Sequence, residues 1–165
     1  PSTATEKTLL AQPITVENFA PFGQVIFPMS DGKGYDASDA QLEISQGSPR
    51  FYIMTLHRIG LNFHKITRHR RCTQCLGAMA GQTWWMAVAP PEDDPQPNPE
   101  HIRAFQIPGN CFIKLAVGTW HAGPLFEQAS IDFFNLELSD TNITDHETCH
   151  LSSQYGIQYK VVAQF

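Results

Sequence analysis

Residues 68–81 read Arg68-His69-Arg70-Arg71-Cys72-Thr73-Gln74-Cys75-Leu76-Gly77-Ala78-Met79-Ala80-Gly81, and further along stands Gly118-Thr119-Trp120-His121. In the first stretch a histidine is followed by a side-chain amide and then a glycine. In the second, a glycine precedes a histidine inside a short apolar run. Around both, apolar residues alternate or run on briefly and then stop at glycine or proline. That is the signature of short strands; an amphipathic helix would repeat its apolar positions every three or four residues.

The same pattern extends in both directions. Strands are expected at Arg50–Leu56, Leu61–Thr67, Thr73–Met79, Thr83–Ala89, Ile102–Ile107, Cys111–Ala116, Ile131–Leu138 and Tyr155–Val162. Before them, Ile14–Phe22 reads as one short helix, with Thr15 as N-cap and Val16, Phe19 and Phe22 on its apolar side. A strand at Gln24–Phe27 follows it. The Gly-, Asp-, Ser- and Gln-rich segment Ser30–Gly47 is expected as a loop able to lie over the site. Pro90–Glu100, acidic and proline-rich, is an exposed connection because proline cannot join a central ladder. The expectation is one all-β (mainly) domain over residues 1–165, a barrel with a short N-terminal helix.

Composition narrows the function. With 42% hydrophobic and 16% charged residues, the 165-residue chain can bury a substantial core. A formal charge of -5 disfavours nucleic acid as a partner. The longest apolar run, Trp84–Ala89, is too short for a membrane span, and the N-terminus lacks a signal-peptide core. A cytoplasmic protein is expected. Cys72, Cys75, Cys111 and Cys149 are too few and scattered for a disulfide framework, and the lone Cys72-x-x-Cys75 reads as a pair of reduced thiols without function.

The pair of stretches at the start, His69 with Gln74 and Gly81 and then Gly118-x-x-His121, resembles the two-part cupin signature. The resemblance implies a double-stranded β-helix barrel that brings both motifs to one mouth. In the usual first motif a second histidine and a glutamate stand where this chain has Thr67 and Gln74, which implies a barrel kept with its metal chemistry weakened or lost. More narrowly, Phe19-Ala20-Pro21-Phe22-Gly23-Gln24-Val25-Ile26, Arg68-His69 with Thr73-Gln74, Arg103-Ala104-Phe105, and Trp120-His121 with Pro124-Leu125-Phe126 resemble the ureidoglycolate lyase family. That resemblance implies a homodimeric enzyme that splits ureidoglycolate into glyoxylate and urea, in allantoin degradation within purine catabolism, with no cofactor required. The chain departs from the family pattern at Thr67, Ala122 and Glu137-Leu138, where Glu, His and Asp-Arg are usual.

Eliminating urea from a carbinolamide asks for a base on the hydroxyl, an acid at the departing nitrogen and a cation for the carboxylate. His69 and His121 are the expected proton handlers, because an imidazole titrates near neutrality. Gln74 can donate and accept at once and suits an amide or a hydroxyl. Lys114 shares a strand face with Phe112 and Ala116; it either points into the barrel toward an anion or sits in solvent at an edge. Arg50, Arg68 and Arg103 are candidate carboxylate clamps, although Arg68 and His69 alternate and Arg103 is expected to pair with an acid on the barrel wall. Glu137 and Asp132 fall on opposite faces of their strand, so only one can face the interior. Were a divalent metal bound, His69, His121 and Gln74 would be its ligands, a poor set for want of a third firm donor. His146 to His150 reads as a polar surface turn. Two other functions stay open: a metal-dependent cupin enzyme of different specificity, and a divergent cupin that only binds a small carboxylate.

Overall fold

The computed structural model describes residues 4–163, in which the alternating segments pair into two large sheets and one small one. In chain order these are β1 (Thr5–Leu10), β2 (Gln12–Pro13), helix α1 (Val16–Phe19), β3 (Gly23–Ile26), β4 (Pro49–His57), β5 (Asn62–Phe63), β6 (Lys65–Arg68), β7 (Gln74–Ala78) and β8 (Gly81–Ala89). After a 3-10 turn at Pro99–His101 come β9 (Arg103–Gly109), β10 (Phe112–Leu115), β11 (Trp120–Leu125), β12 (Ser130–Leu138), α2 (Thr141–Thr144), β13 (Glu147–His150), α3 (Leu151–Tyr155) and β14 (Ile157–Val162).

One sheet runs β3-β10-β7-β12-β4 and the other β13-β6-β11-β8-β9-β2. Every neighbouring pair in them is antiparallel except β2 with β9. Their inner faces share one core, in which Val25, Leu76, Ile113 and Phe133 of the first sheet meet Trp84, Met86, Phe105 and Ile107 of the second. A second core, including Ile66, Ala87, Trp120, Tyr159 and Val161, joins the outer face of the six-stranded sheet to the small sheet β1-β14-β5. This is the cupin-like β-barrel that the paired motifs implied. No helix of the described residues is long and apolar enough to cross a membrane.

Several expected elements change in detail. The helix shrinks to one turn; Thr15 caps it with a reciprocal bond to Asn18, but Val16 is 57% exposed, so of the expected apolar side Phe19 and Phe22 reach the core, together with Ile14. The strand expected at Leu61–Thr67 breaks at His64, whose carbonyl accepts from the amides of Leu151 and Ser152. Its two halves consequently join different sheets. Strands β1, β2, β11 and β13 were not expected. The Gly123-Pro124 pair reads as a breaker, yet β11 passes through it with a register shift between Ala122 and Leu125. Of the 30–47 loop, expected over the site, residues 37–41 lie against the outer face of the five-stranded sheet, where Gln24 Nε2 donates to the carbonyls of Ala37 and Asp39, while Glu43 and Gln46 bond Thr73 and Arg71 in the connection before β7.

Phe133 is fully buried, edge-on to Trp84 at 5.1 Å between ring centroids. Phe133→Ala should cost about 3–5 kcal/mol in denaturant unfolding, the usual loss for a buried aromatic. A cost under about 1 kcal/mol would contradict its place in the core.

Candidate functional site

Residues directly opposite in an antiparallel pair share a face, so register shows what points inward. His121 lies opposite Thr67 and Val88, and Thr67 opposite Thr148. Val88 belongs to the inner core, so His121, Thr67 and Thr148 face inward with it, and the two threonine hydroxyls bond at 2.9 Å. On the other sheet Gln74 pairs with core residue Leu115, Asn135 with Tyr52, and Glu137 with Arg50. These inward polar residues form a chain. Gln74 Nε2 donates to Asn135 Oδ1 at 2.9 Å, Asn135 Nδ2 donates to Glu137 Oε1, and the Tyr52 hydroxyl donates to the same oxygen. The Arg50 guanidinium stacks 3.6 Å above the Tyr52 ring. Gln74 Oε1, Glu137 Oε2 and His121 Nδ1 are buried without a partner among the described residues. An unsatisfied buried polar atom costs about 1–3 kcal/mol. These three lie along one inner path; the indole Nε1 atoms of Trp84, Trp85 and Trp120 are likewise unpartnered among the described residues.

His69 stands just past the end of β6 and is held by Asp145. Its Nδ1 bonds the Asp145 carbonyl at 2.7 Å, while the Asp145 carboxylate accepts the amides of Arg70 and Arg71 at 2.8 Å each. A carbonyl only accepts, so the bond requires a hydrogen on His69 Nδ1. Three imidazoles gather here: the His69 ring lies 5.1 Å from that of His121 and 5.6 Å from that of His146. Burial, with a lesser push from His69 and His146, lowers the His121 pKa to about 3. Burial and His69 also lower that of His146. His121 is therefore neutral at physiological pH.

A cavity of about 570 Å³ opens against β5, β6 and β11, lined by His64, Lys65, Thr67, His121 and His146 among polar residues and by Ile59, Phe63 and Leu125 among apolar ones. Behind it His69, Gln74, Thr119 and His121 line a recess with no room for a ligand. His121 belongs to both and forms the partition between them.

The structure thus brings His69, His121 and Gln74 together, with Glu137 and Arg50 further along the polar chain. It separates Lys114 from them. Lys114 pairs with Cys75 and Gln24 while its neighbour Ile113 fills the core, so its side chain is on the outer face of the sheet. The alternation of the strand was legible in the sequence, but the face carrying Phe112 and Lys114 is the outer one; burial there lowers the lysine pKa. Arg68 points away from the cavity, bound to Glu147 at 2.9 Å and set 4.5 Å over the Trp120 ring. Arg103 donates to the carbonyls of Glu100 and Ile102, where a carboxylate partner was expected. Of the two late-strand acids, Glu137 faces in, buried, and Asp132 faces out, bonded to Thr55. His146, taken as part of a surface turn, lines the cavity because β13 adds itself beside β6; strand pairing between distant segments leaves no local sign. Among the described residues no group of three His, Cys, Asp or Glu side chains is arranged as a metal site. Burial pushes the Cys75 thiol up to about 12 and Cys111 to about 11, so neither is a reactive thiolate.

The family model described as ureidoglycolate lyase matches residues 6–158. Curated proteins named ureidoglycolate lyase are similar to this chain. The one from Stutzerimonas stutzeri is 29% identical over 70% of this chain and 74% of its own length. That from Pseudomonas paraeruginosa is 27% identical over 85% and 90%. Among solved structures, a mutant of Bacillus subtilis oxalate decarboxylase superposes with a TM-score of 0.42 at 11% identity, over 79% of this chain and 28% of that one.

The lowered His121 pKa has a consequence for stability. In the unfolded chain this imidazole ionises near 6.5, in the native state only near 3. Between those values the unfolded state holds the extra proton, so stability is full above pH 6.5 and falls as pH drops toward 3, by on the order of a few kcal/mol. Chemical denaturation from pH 7 to 4 should show this decline, and His121→Asn should flatten it. An unchanged slope in the variant would contradict a His121 held neutral in the native state.

Proposed function

The chain belongs to the ureidoglycolate lyase family, and we propose that it releases urea and glyoxylate from ureidoglycolate in the cavity against His121. The observation that carries this reading is the position of His121, which is shared between the open cavity and the histidine-bearing recess and is held neutral. A neutral imidazole has a ring nitrogen free to accept a proton, and an anionic substrate beside it raises its pKa from the empty-site value toward the range a base needs.

In this reading His121 takes the hydroxyl proton of the carbinolamide. The O–H electrons become the second bond of the new aldehyde, and the C–N electrons leave with the urea nitrogen. The nitrogen receives that same proton back, delivered along the cavity wall that His121 shares with His146. His69, its Nδ1 fixed on the Asp145 carbonyl, lies beside both rings and lines them up along the cavity wall. It was expected to touch the substrate directly; in the recess it stands behind the two outer imidazoles. Gln74, Glu137 and Arg50 act from behind, as the polar chain that supports the recess. A reducing, cytoplasmic setting suits four buried free thiols. The reaction belongs to allantoin degradation.

A second copy of the chain is proposed to cover the outer face of the five-stranded sheet. Phe51 and Ile53 are 70% and 58% exposed there, and Phe134 lies edge-on to both Phe51 and Phe112. A contiguous aromatic patch is costly in water, and twofold pairing is the commonest way to bury one.

Two outcomes check these proposals. His121→Ala should lower the rate of urea release by about a hundredfold to ten-thousandfold, the worth of a positioned proton-transfer group, with an unchanged circular dichroism spectrum. Near-normal turnover in that folded variant would remove the role given to His121. Phe51→Asp combined with Ile53→Asp should turn a sedimenting dimer into a monomer; a wild-type protein already monomeric at micromolar concentration would contradict the dimer.

A further inference from the structure

The reaction needs a cation for the substrate carboxylate, and Lys114, one candidate for it, is on the wrong face of its sheet. Of the eleven lysines and arginines in the chain, Lys65 alone lines the cavity. The others near the site are engaged elsewhere. Arg68 and Arg70 bind Glu147, and Arg71 binds Asp140 and the Gln46 carbonyl. Arg50 is stacked on Tyr52, opposite Glu137. Lys65 has no hydrogen-bond or ion-pair partner among the described residues, and no aspartate or glutamate lines the cavity to neutralise it.

Its placement is set by the strand. Lys65 and Thr67 are two residues apart on β6 and so share a face, about 7 Å apart along the chain. Thr67 lies directly across from His121. Because β13 holds β6 along its length, pairing His150 with Lys65, the base of the lysine side chain is fixed. The cavity therefore has a cation at one end and a proton acceptor at the other, across the span of a short α-hydroxy acid. The charge pattern gives a direction as well. Toward the interior an anion would meet the partnerless Glu137 Oε2, whereas at the rim it meets an ammonium.

We propose that Lys65 anchors the carboxylate of the substrate, so that the cavity takes small ureido acids with the carboxylate at the rim and the carbinol carbon against His121. This rests on the lyase reading above and adds to it the residue that selects an acid over a neutral ureide. A flexible ammonium contacting substrate and transition state alike contributes uniform binding, which appears in KM and leaves kcat nearly unchanged.

The test uses the full chain and two unreactive probes: oxalurate, a ureido acid without the hydroxyl, and its neutral amide. By calorimetry, Lys65→Gln should bind oxalurate roughly ten- to hundredfold more weakly than wild type, the loss expected for one charge-assisted contact, while the amide binds both proteins alike. Lys65→Arg should restore most of the affinity, and KM for ureidoglycolate should rise in Lys65→Gln with kcat within a few fold. Equal loss of both probes, or unchanged oxalurate binding, would overturn the assignment while leaving the lyase reading standing. If the wild type neither binds oxalurate nor releases urea, the lyase reading fails and the anchor with it.

Discussion

The site hangs on Asp145. Its carboxylate holds the amides of Arg70 and Arg71, and its carbonyl holds His69. One residue thereby ties the connection after β6 to the turn before β13 and orients an imidazole between them. Charge-assisted bonds to main-chain amides are among the stronger contacts in a protein, and these are fixed at both ends by strands. The next residue along, His146, is delivered to the cavity by the same bracket, and β13 then locks beside β6. Without it, His69 would lose the bond that fixes its Nδ1 and His146 its position, although the two sheets could still form around their shared core.

Around that bracket the charges are sorted. Inside lies the chain Gln74, Asn135, Glu137 and Tyr52, with an acid at its heart. Outside lies a cavity of three histidines and a lysine. His121 stands between them as the partition. Its neutrality follows from burial first and from its imidazole neighbours second. The departures from the family pattern fall in this same region: Thr67, in place of a glutamate, contributes a hydroxyl bonded to Thr148. Ala122, in place of a histidine, is packed in the second core, on the face opposite His121.

The barrel was legible because its signal is local: alternation, β-branched and aromatic runs, and glycine or proline between them. So was the meeting of His69, Gln74 and His121, since a paired motif encodes a long-range contact in two short ones. What escaped was decided by partners distant in sequence. Strand β13 looks like a polar turn until β6 gives it a ladder, so His146 was unseen. Strand β11 looks broken at Gly123-Pro124 until Trp85 and Ala87 hold it on either side of the bulge. For Lys114 the period of two was right and left the face open, because alternation gives two faces without naming the inner one; the burial of Ile113 decides it and puts the lysine on the outer face, itself buried. Asn135 was missed for a related reason: a lone amide in an apolar strand shows no partner until Gln74 and Glu137 close around it.

The central claim is that ligand and proton acceptor meet at His121 in the outer cavity. The most direct measurement is a crystal structure of the wild-type protein soaked with oxalurate. The account predicts ligand density between His121, His146 and Lys65, with the carboxylate at the lysine and the ureido group turned inward. Well-defined density elsewhere, for instance at Arg50 and Tyr52 with the His121 cavity left to solvent, would contradict it.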